Sequence, residues 1–274
     1  MNPNFQLLSP FTFSQSSLQD YADCPRRFQL RYIEKLAWPA VESEPILENE
    51  RRQQEGQLFH RLVQQYILGI ADEKLRRLAN SPDLARWWDN FIAHRSSLII
   101  PDSSFPELTL SAPIGEHRLL AKYDLVTVQD DEKALIYDWK TYHKRPRDEW
   151  MAARWQTRVY RALLVQAGAA LHAGTPFQPE QVEMVYWYAD FPTEAARFPY
   201  NAAQYKRDWD ALTKMVSEIA SATAFEMTDD EKKCAYCPYR SYCERGVEAG
   251  KGEEVESELA GMEIYFEQVQ EIAF

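Results

Sequence analysis

Glycine is scarce in this 274-residue chain, 9 in all, which excludes collagen-like and low-complexity sequence. No apolar run approaches the ~18 residues of a membrane-spanning helix, and residues 1–10 lack the charged start and apolar centre of a secretory signal. A soluble, cytoplasmic protein is therefore expected. There is no G-x-x-x-x-G-K-[ST] phosphate loop, so the chain is not itself an ATP-driven motor, and no internal repeat suggests a solenoid. Basic residues are also short, 31 Lys and Arg against 42 Asp and Glu, and the net charge of -11 at first sight opposes a nucleic-acid partner. The acidity is uneven, however: residues 248–274 hold eight acids and one base, leaving -4 over residues 1–247. What the chain does have is 45% hydrophobic and 13% aromatic residues, enough for a substantial core.

Only four cysteines occur, Cys24, Cys234, Cys237 and Cys243. Three form C-x2-C-x5-C within the polar, turn-prone segment KKCAYCPYRSYCERG, and the fourth lies far upstream. Two residues between cysteines let both sulfurs face one ion from a tight turn, so in a cytosolic chain this spacing reads as a metal site before a disulfide. Zinc and a 4Fe-4S cluster both accept four thiolates, and spacing separates them poorly. Either would tie the first helix to the end of the chain's main body.

Hydrophobic periodicity predicts helices up to Cys24, with Ser14, Ser16 or Ser17 as cap, and again from Pro25, at 50–70 and at 82–94. Three β-rich runs follow at 107–114, 117–128 and 133–139, separated by Gly115-Glu116 and by Asp130-Asp131-Glu132, and read as an antiparallel meander. Helix resumes over 148–172, a buried strand is expected at 182–188, and a last helix at 202–222. The fold class is thus α/β in the mixed α+β sense.

The chemistry concentrates around DWKT. On a strand Asp138 and Lys140 share a face and Trp139 takes the other, so an apolar strand ends in a carboxylate beside an ammonium. Asp124, on the preceding strand, can approach Asp138 across the hairpin, and paired acids suit a hard cation such as Mg²⁺ or Mn²⁺. Such an ion polarises a phosphoryl oxygen and acidifies water, while the lysine stabilises charge on the phosphate. His60, in GQLFH, can add an imidazole ligand. Gln156 and Tyr160, spaced i, i+4, share a helix face and are candidates for substrate contact. The loop TYHKRPR sets Lys144, Arg145 and Arg147 beside His143 as a phosphate guide, and Arg26, Arg27 and Arg31 could form a second patch. Trp155 and Tyr142 are candidates for stacking on unpaired bases.

In this order the motifs resemble the RecB-like and AddB-like branch of the PD-(D/E)XK nuclease superfamily, including the iron-sulfur exonucleases of CRISPR adaptation. The matches are CPRRF at Cys24–Phe28, Gly56 with His60, Asp124, DWKT at Asp138–Thr141, Gln156 with Tyr160, and the cysteine trio. The resemblance implies a restriction-endonuclease-like core, a central mixed sheet flanked by helices, with an iron-sulfur staple. It implies His60, Asp124 and Asp138 as metal ligands, Asp124, Asp138 and Lys140 as catalytic residues, and a 4Fe-4S cluster on Cys24, Cys234, Cys237 and Cys243. Where the family often writes G-x-x-D-R around its first acid, this chain has Ala121 and Leu125, and Glu107 matches a frequent acid of open role. DNA is the expected partner, with a helicase or CRISPR integrase in trans. A nuclease domain is expected over 1–247, with a helical insertion at about 50–100 and a cysteine cluster at 224–246. An acidic tail, 248–274, would follow as a helical cover or a solubilising end.

Overall fold

The computed structural model describes residues 7, 9–36, 44–101, 103–129, 133–234 and 237–245, with backbone alone for 44–50. The expected turn at 130–132 and the acidic tail lie outside the described residues. Chain order is β1 (Thr12–Ser14), α1 (Gln15–Asp23), α2 (Pro25–Phe28) running into a π turn, α3 (Glu44–Ile67), α4 (Asp72–Arg76) and α5 (Pro82–His94). There follow β2 (Ser104–Ile114), β3 (His117–Gln129), β4 (Lys133–Lys140), α6 (Asp148–Ala153), α7 (Trp155–Ala167), β5 (Val182–Tyr188), β6 (Phe191–Pro199) and α8 (Ala202–Ser221).

Among the described residues six strands form one mixed sheet. β2, β3 and β4 are the expected meander, β5 joins β4 in parallel, and β6 returns antiparallel along β5. β4 and β5 are buried on both faces, which explains their near-continuous apolar sequence. Alternation then sorts the side chains. Ala134, Ile136, Met184, Tyr186 and Tyr188 join the core beneath α1, α7 and α8, whereas Leu135, Tyr137, Trp139, Val185 and Trp187 join a second core with Phe59, Leu62, Trp87 and Phe91 of α3 and α5.

One irregularity of the sheet positions the chemistry. β2 occupies one edge of β3 along nearly its whole length. On the other edge β1 pairs in parallel with Arg118–Leu120, while β4 pairs only from Leu125 onward. Residues 121–124 of β3 therefore face a gap between two diverging strands. On the β2 side the ladder skips Glu107, which takes a φ of 55° and turns its carboxylate to Lys122 at 2.8 Å.

β1 and β6 were not expected from the sequence. β1 is three residues long, too short for periodicity to register, and β6 carries a proline near each of its ends and alternates buried and exposed residues over its second half, as an edge strand does. The helix expected over 148–172 is interrupted at Arg154, whose extended backbone ends α6 and caps α7.

Candidate active site and cysteine site

Asp138 and Lys140 stand on one face at the end of β4, 3% and 5% exposed, with Lys140 Nζ 2.9 Å from Asp138 Oδ2. Gln156, in the first turn of α7, joins them. Its Nε2 donates to Asp138 Oδ1 at 2.6 Å, and its Oε1 accepts from Lys140 Nζ at 3.0 Å. The break at Arg154 makes this possible by starting α7 directly over the end of β4. The ammonium also lies 5.3 Å from the ring centre of Tyr186 and 5.8 Å from that of Tyr142, within cation–π range.

Asp124 lies in the gap of β3. Its Oδ2 accepts from the Trp139 backbone N–H at 2.8 Å, and its Oδ1 is 3.1 Å from His60 Nδ1. His60 reaches it because α3 lies close to the end of β4. A Cβ at Gly56, one turn before His60, would meet Thr141 Oγ1 at 3.1 Å, so the bare backbone there permits the approach. This is a physical reason for glycine four residues ahead of the histidine.

Burial opposes charge on His60, but Asp124, by ion pair and hydrogen bond, and then Asp138 outweigh it and push the imidazole up to about 9. For Asp124 burial again acts first, raising its pKa, yet His60, the Trp139 N–H and Lys140 hold the carboxyl below its ordinary value. Two carboxylates and a deprotonated imidazole are a donor set of the kind that suits a divalent cation. Each carboxylate is turned to a cationic neighbour, Asp124 to His60 and Asp138 to Lys140. Among the described residues no three His, Cys, Asp or Glu groups converge tightly enough to hold one metal ion.

The other expected residues fall in varied places. Tyr160 is buried, and its hydroxyl donates to the Lys122 carbonyl at 2.7 Å in the β3 gap. Gln156 and Tyr160 therefore spend polar atoms on the protein itself rather than on an open surface. Lys144 and Arg147 are exposed beyond β4. Arg145 is drawn inward to Asp148 at 2.7 Å and to the Glu194 carbonyl at 2.8 Å, above the Tyr188 ring. Of the second expected patch, Arg27 pairs with Asp20 and Asp23, Arg31 with Asp20, and Arg26 with Glu34, so these cations are engaged within the fold. Trp155 lies against Arg158, 4.3 Å from ring centre to guanidinium carbon.

Sequence reading missed Asp190, just past β5. Its carboxylate accepts from Arg86 and from Trp87 Nε1, both at 2.9 Å, and stands 2.8 Å from His143 Nδ1. It clasps α5 to the loop that follows β4. A single Asp after an apolar strand carries no periodic signal that could have revealed this.

All four cysteines line one cavity. The Thr228 backbone N–H donates to Cys24 Sγ at 3.4 Å, and the Tyr239 N–H donates to Cys237. Burial pushes the thiols of Cys234, Cys237 and Cys243 up, Cys237 to about 11 against the opposing pull of Arg27.

Residues 12–244 match the profile of the PD-(D/E)XK nuclease superfamily. No curated protein matches the chain. Among solved structures, the chain is similar to SSO0001, at 12% identity and TM-score 0.39 over 86% of this chain and 87% of that one. It is also similar to a candidate exonuclease from Eubacterium rectale, at 10% identity and TM-score 0.48 over 91% and 93%. Among the described residues no helix is long and apolar enough to cross a membrane.

Proposed function

The chain belongs to the PD-(D/E)XK nuclease superfamily, and from that premise we propose a divalent-metal-dependent deoxyribonuclease of the RecB-like and AddB-like branch, an exonuclease acting on single strands or duplex ends. The observation that carries the proposal is the Asp138–Gln156–Lys140 network at the end of β4, set beside the Asp124–His60 pair in the gap of β3. His60, Asp124 and Asp138 are the residues that would hold Mg²⁺ or Mn²⁺. Such an ion, when bound, supplies Lewis-acid polarisation of a phosphoryl oxygen and a more acidic water.

The remaining roles belong to the chain. Lys140 presents a fixed positive charge to the negative charge that grows on the phosphate, and its burial strengthens that interaction relative to water. Gln156 holds Asp138 and Lys140 in one geometry, so little reorganisation is needed at the moment of reaction. Lys144 and Arg147, exposed just beyond the site, are placed to meet the backbone of the strand.

For Cys24, Cys234, Cys237 and Cys243 the reading is a 4Fe-4S cluster. It is supported by the shared cavity and by the two N–H donors already aimed at sulfur. With no motor motif in the chain, we place the activity in DNA repair, recombination or CRISPR adaptation, beside a helicase or integrase in trans.

The test is cleavage of end-labelled single- and double-stranded DNA with Mn²⁺ or Mg²⁺ by anaerobically purified protein. Wild type yields products, and Asp138→Ala and Lys140→Ala yield none. Unchanged cleavage in both variants overturns the catalytic assignment, and binding without products in the wild type makes the chain a non-catalytic DNA-binding module.

A further inference from the structure

Residues 141–147 leave the end of β4 just past Lys140, and their inward side chains are anchored one after another. Thr141 lies against α3, its Oγ1 3.1 Å from where a Cβ at Gly56 would stand. His143 Nδ1 is 2.8 Å from Asp190 Oδ2, and its ring centre is 6.1 Å from that of Trp87. Arg145 holds Asp148 and the Glu194 carbonyl and covers the Tyr188 ring, and Pro146 is buried. The loop is thus fixed on both sides of Lys144.

Asp190 is the outer half of that anchorage. It sits in the turn between β5 and β6, where the Ala189 N–H donates to the Lys140 carbonyl at 2.8 Å and ties the turn to the end of β4. From α5, Arg86 Nε and Trp87 Nε1 donate to Asp190, and Asn90 Nδ2 donates to the Ala189 carbonyl at 2.8 Å. Burial raises the pKa of Asp190, but His143 and Arg86 hold it below its ordinary value, so the group that faces the loop is a carboxylate.

Lys144 and Arg147 differ from their inward neighbours. Both are exposed, and among the described residues neither side chain meets an acid or a hydrogen-bond acceptor. Nearby cations are answered within the fold, Arg145 by Asp148 and Arg86 by Asp83 and Asp190. Two unanswered cations on a fixed loop beside Asp138 and Lys140 suit the phosphates of a bound strand, because a loop already held in place loses little freedom when that strand arrives.

We propose that Asp190 is a positioning residue for DNA: through His143 it fixes the loop that presents Lys144 and Arg147 to backbone phosphates. The inference rests on the DNA-cleaving reading of the site and deepens it, giving α5 a share in substrate binding.

Binding of a fluorescent single-stranded oligonucleotide to the full chain is measured by anisotropy without divalent metal over a range of salt, and cleavage of the same strand with Mn²⁺ is followed in parallel. Asp190→Asn weakens the anchor without deleting any group of the loop, while His143→Ala cuts it from the loop side and leaves Arg86 and Trp87 on Asp190. Each is expected to weaken binding about fivefold through lost pre-organisation, and in cleavage the loss falls on KM rather than kcat. Lys144→Gln combined with Arg147→Gln weakens binding about tenfold and lowers the slope of log affinity against log salt by about 1.4, two contacts at roughly 0.7 each on a single strand. Added to that double variant, Asp190→Asn has no further effect, because the cations it positions are gone.

An Asp190→Asn effect of the same size in both backgrounds, or a double variant that binds as tightly as wild type, overturns the positioning role while leaving the nuclease reading intact. If Asp190→Asn does not fold, the same cycle with His143→Ala decides. Wild type that binds without yielding products removes the nuclease reading and leaves the anchored loop to be judged by the binding cycle alone. Wild type that binds no DNA overturns this inference.

Discussion

The Trp139 backbone N–H donates to the Asp124 carboxylate at 2.8 Å. The bond lies where β4 leaves β3, just past the last register pair, Leu125 with Tyr137. A diverging strand exposes backbone donors that the ladder no longer satisfies. Here Asp124 takes one of them, so its carboxylate fills the gap beside β3.

This gives Asp124 two separable roles. Asp124→Asn keeps an acceptor for the Trp139 N–H but loses the ion pair with His60, so it is expected to lower folding stability and to abolish Mn²⁺ affinity and cleavage. Asp124→Ala loses both, and leaves a buried N–H unsatisfied at a further cost of about 1–3 kcal/mol. Calorimetric Mn²⁺ titration together with denaturant midpoints checks the distinction. Equal stability of the Asn and Ala variants would show that the backbone bond contributes nothing.

Gln156 is buried at 4% exposure and touches both Asp138 and Lys140. A residue in that place should act on the chemical step rather than on substrate affinity. Gln156→Leu is expected to lower kcat about 100-fold, the scale of small misplacements in a catalytic array, with KM near wild type. Steady-state cleavage of a short single strand measures both, and a variant altered only in KM would return Gln156 to direct substrate contact.

Much of this site was legible because strand alternation and helical spacing are local rules. They are enough to set Asp138 with Lys140 on one face of β4, Gln156 with Tyr160 on one face of α7, and His60 one turn after Gly56. What those rules lack is the third dimension. Gln156 and Tyr160 look like substrate contacts until α7 is laid on the sheet and their polar atoms are found inside. Arg26, Arg27 and Arg31 look like a phosphate patch until Asp20, Asp23 and Glu34 fold against them. Asp190 is invisible for the same reason, since its partners Arg86 and Trp87 lie about a hundred residues upstream on α5.

Leu125 illustrates the converse, a departure from family pattern that the fold explains. It is fully buried among Tyr137, Trp139 and Phe59 on the α3 and α5 side of the sheet, where an arginine would find an apolar wall. Restoring the family residue with Leu125→Arg is therefore expected to destabilise the protein by more than about 3 kcal/mol, through burial of an unpaired charge. Thermal unfolding of the variant is the check. A melting temperature equal to wild type would mean that the guanidinium finds a partner in the site.

Glu183 links three strands: from β5 it meets Lys133 of β4 at 2.5 Å and Arg197 of β6 at 2.6 Å. Burial raises its pKa, but hydrogen bonds and ion pairs from Arg197 and Lys133 outweigh that and hold the carboxyl below its ordinary 4.5. A depressed carboxylate stabilises the fold above its unfolded pKa, and that stabilisation is lost as pH falls through the lower folded value. Both basic partners are nearly half exposed, 44% and 46%, so solvent screening keeps the contribution modest. Glu183→Gln should accordingly be less stable than wild type at pH 7, and the gap should close as pH drops below 4.5. Urea midpoints of both proteins across that range measure it. A gap that persists unchanged into acid would assign the effect of Glu183 to packing between β4 and β6 instead of to its charge.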